Sequence, residues 1–168
     1  MVQVHQTGAI ANINMSVKTK RAGLLVGESV TTQHVNEIVV LGWSWGIDQP
    51  HDSASGLATA RRRLLELIVR KSIDRSSTGL IAAINTNDQI KELTLSMRRA
   101  GSTAGDFLVI KLTNARLTSM QLECDDTGQV LEVLHFAYQA LEMVQRQQLT
   151  TGELGPTTSV TVEMPQAT

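Results

Sequence analysis

The 168-residue sequence contains little cysteine, proline or aromatic residue: one Cys, three Pro, and a 3% share of Phe, Trp and Tyr. The single thiol, Cys124, excludes an intrachain disulfide and a site built from several thiolates, and it suggests folding in a reducing compartment. No stretch approaches the roughly 18 apolar residues of a membrane span, and residues 1–17 lack the pattern of a signal peptide. We therefore predict a soluble protein with no membrane span and no conventional export signal.

The charge of the chain is close to balanced. Fifteen Lys and Arg residues against sixteen Asp and Glu residues leave a formal net charge of -1, with a pI of about 6.4. This balance gives no overall attraction to nucleic acid or to an anionic membrane. At 168 residues and 18.3 kDa the chain fits one domain over residues 1–168, which is long enough to bury a core.

The positions of histidine and cysteine argue against a metal or catalytic site. The four histidines, His5, His34, His51 and His135, are scattered and show no HxH or HExxH spacing. Cys124 and His135 are the one nucleophile and base pair that the sequence offers, and the residues around Cys124 indicate a strand end beside a turn. We predict no metal, no cofactor and no enzymatic activity.

Both tryptophans occur in one stretch, Glu37–Ile47, where apolar residues alternate. A strand over this stretch points one large apolar face toward the core. That predicted core face carries Val39, Leu41, Trp43, Trp45 and Ile47. The opposite face ends in the small residues Gly42, Ser44 and Gly46, where another backbone, a neighbouring subunit or a ligand has room to approach closely. A barrel wall in which these glycines only mark bends is the alternative interpretation.

Alternation also predicts strands elsewhere in the chain. Ala9–Val17 is the first of these strands, and its predicted inner face consists of Ala9, Ala11, Ile13, Met15 and Val17. Glu92–Arg98 points Leu93, Leu95 and Met97 inward. The remaining predictions are strands over Phe107–Leu112 and Ala115–Leu122, joined near Thr113–Asn114, a turn at Asp125–Gly128 and a late strand over Ser159–Met164.

Two loops and a short helix separate these strands. Lys18–Asn36 has no sustained period and predicts a long loop or loose hairpin, a type of segment that is usually functional in a compact domain. Asp48–Gly56 predicts a second exposed loop. The helix has a candidate cap at Ser76 or Ser77, carries Leu80, Ile81 and Ile84 on one side, and ends at Asn85 or Asn87. Two segments, Leu64–Arg70 and Val130–Gln147, satisfy helical and strand spacing almost equally, and composition does not decide between them.

Three stretches resemble the haemolysin-coregulated protein (Hcp) family, the inner-tube proteins of bacterial type VI secretion systems. Residues 27–46 resemble the family segment GES…H…EI.VL.WSWG without a gap. Residues 71–80 resemble the block K.IDKS…L, and Leu95–Gly101 resembles the block L…RKAG. Phe107–Ser119 resembles the next long strand of the family, so the likeness covers roughly Ile13–Met143.

This resemblance implies a mainly β fold, a two-sheet β-barrel with one short flanking helix, which assembles into hexameric rings. It also implies that Leu64–Lys71 and Val133–Met143 are strands. Residues 1–12 and 148–168 are extensions of this single domain. The chain departs from the family in an extended Arg21–Val26 region, in a short loop after the tryptophan stretch, and at Thr78 and Asn87, where proline and glycine are common.

The function implied by the resemblance is structural. Rings stack into a hollow tube that carries or delivers effectors, with the contractile sheath, the spike, the baseplate and secreted effectors as partners. Such a protein assembles in the cytoplasm and is then secreted. A secreted ring that binds effectors as a chaperone, and a tail tube protein of the phage type, are the alternatives.

Three groups of residues are the candidate sites. Gly42, Ser44 and Gly46 are predicted to contact the tube lumen or cargo. The long loop, with Gly27, Glu28, Ser29 and His34, is the candidate for contact between rings, and an ordinary surface loop is the alternative. Trp43, Trp45, Leu95 and Met97 are predicted to form the barrel core.

Overall fold

The computed structural model describes residues 11–99 and 102–165, which contain twelve β-strands and one α-helix. The strands are β1 (Ala11–Thr19), β2 (Gly23–Leu24), β3 (Ile38–Val40), β4 (Gly42–Ser44), β5 (Ile47–Asp48), β6 (Arg63–Leu64), β7 (Leu67–Ser72), β8 (Ile90–Arg99), β9 (Leu108–Cys124), β10 (Val130–Ala137), β11 (Ala140–Gln148) and β12 (Leu154–Glu163). The helix, α1, is Ser77–Asn85.

The strands form a two-sheet barrel in which all neighbours are antiparallel. The first sheet has the order β12, β11, β9, β8, β1, with β2 and β3 both paired to the outer edge of β1. The second sheet has the order β9, β10, β7, β4. A separate hairpin joins β5 to β6. The predicted mainly β barrel with one short helix is confirmed for the described part of the chain.

The 17-residue strand β9 belongs to both sheets. Its first half pairs with β8 and β11, and its second half pairs with β10. The sequence predicted two strands here, which is wrong, because the strand bends without ending. Asn114, at the bend, has a φ of 51°, a left-handed conformation that asparagine tolerates better than most residues. The bend lets one continuous strand turn the corner between the sheets.

The core lies between the two sheets and is almost wholly aliphatic. Met15 and Val17 of β1 and Leu93 of β8 are fully buried, and Leu95 is 1% exposed. The predicted inner faces of the first strand and of Glu92–Arg98 are thus confirmed at these positions, while Met97 is half-buried. Ala9 and Ile10 lie outside the described residues.

The tryptophan stretch is not one continuous strand. It is divided among β3, β4 and β5, and its inner face changes at Leu41. Ile38 and Val40 are buried, whereas the predicted core residues Val39, Leu41 and Ile47 are 45%, 55% and 44% exposed. The prediction for these three residues is wrong because the chain leaves the first sheet after β3 and enters the second sheet at β4. The Leu41 N–H, which donates to the Arg70 carbonyl oxygen at 2.8 Å, marks the crossing.

The two segments of ambiguous period are strands. β7 buries Leu67, Val69 and Lys71 in alternation, and β10 buries Glu132, Leu134 and Phe136. The strands that the resemblance implied over Leu64–Lys71 and Val133–Met143 are confirmed in part. Each is interrupted by two residues, the first between β6 and β7 and the second between β10 and β11. The tail also contains the predicted late strand, β12, which begins five residues before Ser159 and ends one residue before Met164, because it pairs with most of β11.

The single helix packs against β9 and is held at its start by Asp74. Ser76 occupies the N-cap position but makes no side-chain cap bond, because its hydroxyl donates to the Asp74 carboxylate. The same carboxylate accepts the Ser76 N–H at 2.9 Å. The predicted end is confirmed: the helix stops at Asn85, and Asn87 has a φ of 49°. The predicted inward position of Ile81 is wrong, since Ile81 is 46% exposed.

Within the described ranges, no helix has the length and apolar character needed to cross a membrane.

Candidate functional site

Two of the predicted small residues line a groove on the outer face of the second sheet. Gly42 pairs with Arg70 across the sheet, and Ser44 pairs with Ile68. The groove has a volume of about 520 Å³. Its lining residues are Gly42, Trp43, Ser44, Ile68, Arg70, Val133 and His135. Apolar side chains thus alternate with a hydroxyl, a guanidinium and an imidazole, a combination that suits an extended polypeptide with some acidic character.

Gly46, the third predicted residue, lies beyond the end of β4. Its carbonyl oxygen accepts the Leu65 N–H at 3.1 Å, so it joins the β5–β6 hairpin to the barrel. A Cβ at this position would contact the Leu65 side chain at 3.4 Å. At Gly42, by contrast, an added Cβ meets no atom within 4 Å. The structure therefore brings Gly42 and Ser44 together and leaves Gly46 apart.

The two tryptophan side chains are half-buried and pack against the core, and Trp43 also lines the groove. The Trp43 indole N–H donates to the Met97 sulfur at 3.1 Å. The Trp45 indole donates to the Tyr138 hydroxyl, which in turn donates to the Leu65 carbonyl oxygen at 2.9 Å. Burial raises the pKa of Tyr138 above its usual value, and the hydrogen bond from Trp45 opposes this rise. The two indoles therefore fasten the middle of β4 and the residue that follows its end.

A polar group lies at the rim of the groove. The His135 Nδ1 atom is 3.2 Å from the Glu66 carboxylate, and the Thr118 hydroxyl donates to the same carboxylate at 2.8 Å. The register of β9 against β10 shifts between His135 and Phe136, which brings Thr118 to this position. Glu66 thus holds the imidazole at the edge of the groove.

The candidate ring-contact loop is built around a close backbone approach at Gly27. Its N–H donates to the Asn36 carbonyl oxygen at 2.7 Å, and the Ser29 N–H donates to the Glu37 carbonyl oxygen at 2.9 Å. A Cβ on Gly27 would overlap the Glu37 carbonyl group and lie 2.7 Å from the Ile38 Cα atom. Only glycine fits at this position without displacing backbone.

His34 fastens the same loop to the barrel. Its Nδ1 atom is 2.9 Å from the Glu37 carboxylate, and its Nε2 atom is 3.0 Å from the Asp106 carboxylate. Only the imidazolium form can donate from both nitrogens. Arg98 adds to this attachment, because it donates to the Thr32 carbonyl oxygen at 3.1 Å and lies 3.3 Å from Asp106. Gly27, Ser29 and His34 are buried and shape the loop, whereas Glu28 is exposed at its surface.

A buried ion cluster is the feature that the sequence did not predict. The Lys71 ammonium group is 2.6 Å from the Glu132 carboxylate and 2.9 Å from the Asp74 carboxylate. The side chains of Lys71 and Glu132 are fully buried. Lys71 also donates to the Ser77 hydroxyl at 3.2 Å, so the cluster joins β7, β10 and the start of α1. Lys71, Asp74 and Ser77 all lie in residues 71–80, the stretch that resembles the block K.IDKS…L. This resemblance was the sequence signal that could have indicated the cluster.

The one nucleophile and base pair that the sequence offers is not assembled. Cys124 is exposed and pairs with Val130, whereas His135 pairs with Ser119, five positions along the strand. At about 3.3 Å per residue this places the two residues roughly 17 Å apart. The neighbouring Asp125 serves the turn, where the Thr127 hydroxyl and the Gln129 N–H lower the pKa of its carboxyl. The described residues contain no group of three or more His, Cys, Asp or Glu side chains arranged to hold a metal.

Comparison with known proteins identifies the family. A family model described as "Type VI secretion system effector, Hcp" matches residues 10–144 of this chain. The chain belongs to the Hcp family. The match spans β1 to the middle of β11, and it includes the groove, the loop and the ion cluster.

Relatives of the Hcp family share the barrel at low sequence identity. The major exported protein of Pseudomonas aeruginosa is 23% identical over 145 residues, which cover 76% of this chain and 84% of that protein. The solved structure of a type six secretion system protein has a TM-score of 0.77 at 24% identity, and covers 87% of this chain and 91% of that one. The secreted protein Hcp3 of Pseudomonas aeruginosa has a TM-score of 0.70 at 18% identity, with 94% and 100% covered.

Membership in the Hcp family makes this chain a type VI secretion protein. The structural matches show that it shares the fold of that family.

Proposed function

We propose that this chain is the inner-tube subunit of a type VI secretion system. Six copies form a ring, and rings stack into a hollow tube that carries or delivers effectors. The observation that carries the proposal is the Hcp family match over residues 10–144, which contain nearly the whole barrel. The role is structural, and it requires no catalysis, metal or cofactor.

Exposed apolar side chains give physical support for self-association. Six of the large hydrophobic residues that are most exposed lie between residues 24 and 41, rather than being scattered singly. We call this group the apolar strip; it consists of Leu24, Val26, Val30, Val35, Val39 and Leu41, which are 61%, 41%, 91%, 61%, 45% and 55% exposed. Exposed apolar residues concentrated in one segment offer apolar surface for an interface between proteins.

The proposed partners follow from the tube. They are other copies of the chain, the contractile sheath that surrounds the tube, the spike and baseplate at its end, and the effectors that it delivers. The protein assembles in the cytoplasm and leaves the cell through the machine itself. The name of the Pseudomonas relative, a major exported protein, supports this destination.

The loop fastened by His34 is the proposed contact between rings. Its buried residues Gly27, Ser29 and His34 hold its shape, and its exposed residues Glu28 and Val30 are free to meet the next ring. A loop fixed by internal hydrogen bonds loses little conformational entropy on binding, so it favours repeated, reversible contacts.

The groove at Gly42 and Ser44 is the proposed surface for cargo. Replacing Ser44 by Gln adds a larger side chain to the groove and should weaken retention of co-purifying effector proteins while the rings remain intact. Ser53→Gln, at an exposed residue of the β5–β6 hairpin, is the matched control. Equal retention by both variants and the original chain would remove the groove from the cargo site.

Electron microscopy of the purified protein, with native mass spectrometry, tests the tube. Six-fold rings that stack into rods, and a mass of six chains, are the expected results. Isolated rings that bind effectors but never stack would favour the chaperone role. A protein that stays monomeric at high concentration would contradict both roles.

A further inference from the structure

The distal part of the candidate ring-contact loop is not held to the barrel by its apolar side chains. The base of the loop is closed by backbone hydrogen bonds between its own two arms, one of which runs from the Asn36 N–H to the Ser29 carbonyl oxygen at 2.8 Å. We call the distal residues 30–35 the strap. Its two valines face solvent, since Val30 is 91% exposed and Val35 is 61% exposed. Other contacts must therefore keep the strap on the barrel.

The contacts between the strap and the barrel are charged or polar. The His34 imidazole lies between the carboxylates of Glu37 and Asp106, and its side chain is only 9% exposed. Arg98 of β8 donates to the Gln33 side-chain oxygen at 2.7 Å, in addition to its bond to the strap backbone. The strap is therefore fastened by one imidazole and one guanidinium group.

The backbone around His34 is strained. Gln33, directly before it, has a φ of 71°, and Asn36, two residues after it, has a φ of 64°. Asparagine tolerates this left-handed conformation, whereas glutamine rarely adopts it. A residue of this kind keeps its conformation only where the surrounding contacts impose it. The closed form of the strap thus depends on the contacts that fasten it.

The charge of His34 decides whether its contacts are favourable. The ionisable groups that face the imidazole are Glu37 of the same loop and Asp106 of the segment between β8 and β9, and Asp106 also faces Arg98. With an imidazolium, two positive and two negative charges are balanced. A neutral imidazole leaves one negative charge in excess, and one of its nitrogens becomes an acceptor that faces a carboxylate oxygen. The neutral ring therefore loses one hydrogen bond and gains a repulsive contact.

We infer that the strap is a pH-dependent element, which is closed on the barrel while both nitrogens of His34 carry a proton and is released when one proton is lost. Histidine is the side chain that changes its charge between about pH 5 and 8. Because the closed form favours the imidazolium, protonation favours closure and a rise in pH favours release. The strap is a property of the single chain and does not depend on the proposed function. If the loop is the contact between rings, its release weakens that contact.

Hydrogen exchange of the purified protein tests the strap. Exchange is measured at about pH 5.5 and about pH 8.5, on either side of the usual titration of histidine, and each rate is expressed as protection relative to an unstructured peptide at the same pH. Protection of the strap amides should fall by about tenfold or more at the higher pH, whereas protection in the central strand β8 should not change. Equal protection of the strap at both pH values would overturn the inference.

Two histidine variants assign the effect to His34. His34→Gln carries no charge at either pH, so its strap should be weakly protected at both. His51→Gln, at an exposed histidine between β5 and β6, is the matched control and should keep the pH dependence of the original chain. A pH dependence that persists in His34→Gln would contradict the assignment and overturn the inference.

Asp106→Asn should keep the strap closed at high pH. Its amide group can donate to the imidazole nitrogen that has lost its proton, while the other nitrogen still donates to Glu37. The strap of this variant should therefore remain protected at the higher pH, and circular dichroism should show an intact barrel. Loss of protection as large as in the original chain would show that repulsion at Asp106 does not drive the release, which would also overturn the inference.

Discussion

Removal of the Lys71 charge should destabilise the barrel more than any surface substitution. Lys71 is fully buried between two carboxylates, at 2.6 Å from Glu132 and 2.9 Å from Asp74. Lys71→Met keeps the length of the side chain and removes the charge. It leaves two acidic groups close together in the interior without a cation. Among the described residues, Glu132 Oε1 already has no hydrogen-bond partner.

The expected cost follows from the burial of both partners. Loss of one member of a buried ion pair costs about 3–5 kcal/mol, because the remaining charge stays desolvated and uncompensated. Unfolding entropy of about 2.1 cal/mol/K per residue amounts to roughly 0.35 kcal/mol/K for a chain of this length. The melting temperature of Lys71→Met should therefore fall by about 9–14 °C.

Differential scanning calorimetry at one fixed protein concentration measures this change, since association with other copies also raises the apparent stability. Lys91→Met, at an exposed position of β8, is the control and should change the free energy of unfolding by about 0.5 kcal/mol or less. Adding Glu132→Leu to Lys71→Met should recover part of the loss, because it removes the unpaired carboxylate. A melting temperature for Lys71→Met within 2 °C or so of the control would refute the reasoning.

Three further predictions concern the loop and the tyrosine. Gly27→Ala should lower the melting temperature, because the added Cβ overlaps the backbone of Glu37. Gly42→Ala, where an added Cβ meets no atom, is the control and should change it little. Equal melting temperatures of the two variants would contradict the close backbone approach at Gly27. His34→Ala should speed amide hydrogen exchange across residues 27–37 by about tenfold or more, since it leaves the Asp106 carboxylate without this partner, and unchanged exchange would show that the loop is held otherwise. Tyr138 is the only tyrosine, so absorbance at 295 nm reports its titration, which should occur above pH 10 in the folded chain. Because its pKa is raised on folding, its contribution to stability is complete below about pH 10 and is lost as the pH rises further, and Tyr138→Phe should remove that dependence in denaturation curves measured on either side of pH 10.

Local alternation predicted those strands whose inward positions are all apolar. Met15 and Val17 in β1, and Leu93 and Leu95 in β8, follow the simple pattern and are buried. Leu64–Arg70 and Val130–Gln147 were ambiguous because their apolar residues fit helical and strand spacing almost equally. In addition, Lys71 and Glu132 occupy inward positions, where alternation predicts apolar residues. These two residues are 61 positions apart in the sequence, and each is acceptable in the core only because the other neutralises it.

The inner face of the tryptophan stretch could not be predicted for a similar reason. The alternation of inward and outward residues shifts at Leu41, where the backbone N–H donates to the Arg70 carbonyl oxygen. Arg70 is 29 positions away, and local alternation does not reveal this pairing. The candidate site was predicted in part. Gly42 and Ser44 lie together in the groove, but their neighbours Arg70, Val133 and His135 come from β7 and β10 and could be assigned only from the strand register.

The continuous strand β9 has a mechanical consequence. Because one covalent segment is hydrogen-bonded into both sheets, neither sheet can separate from the other without breaking the backbone pairing of β9. A force applied to one sheet is therefore carried into the other through the peptide chain itself, and not only through side-chain packing. A subunit of this construction should yield as one unit under load, which suits the proposed tube subunit of a contractile injection machine.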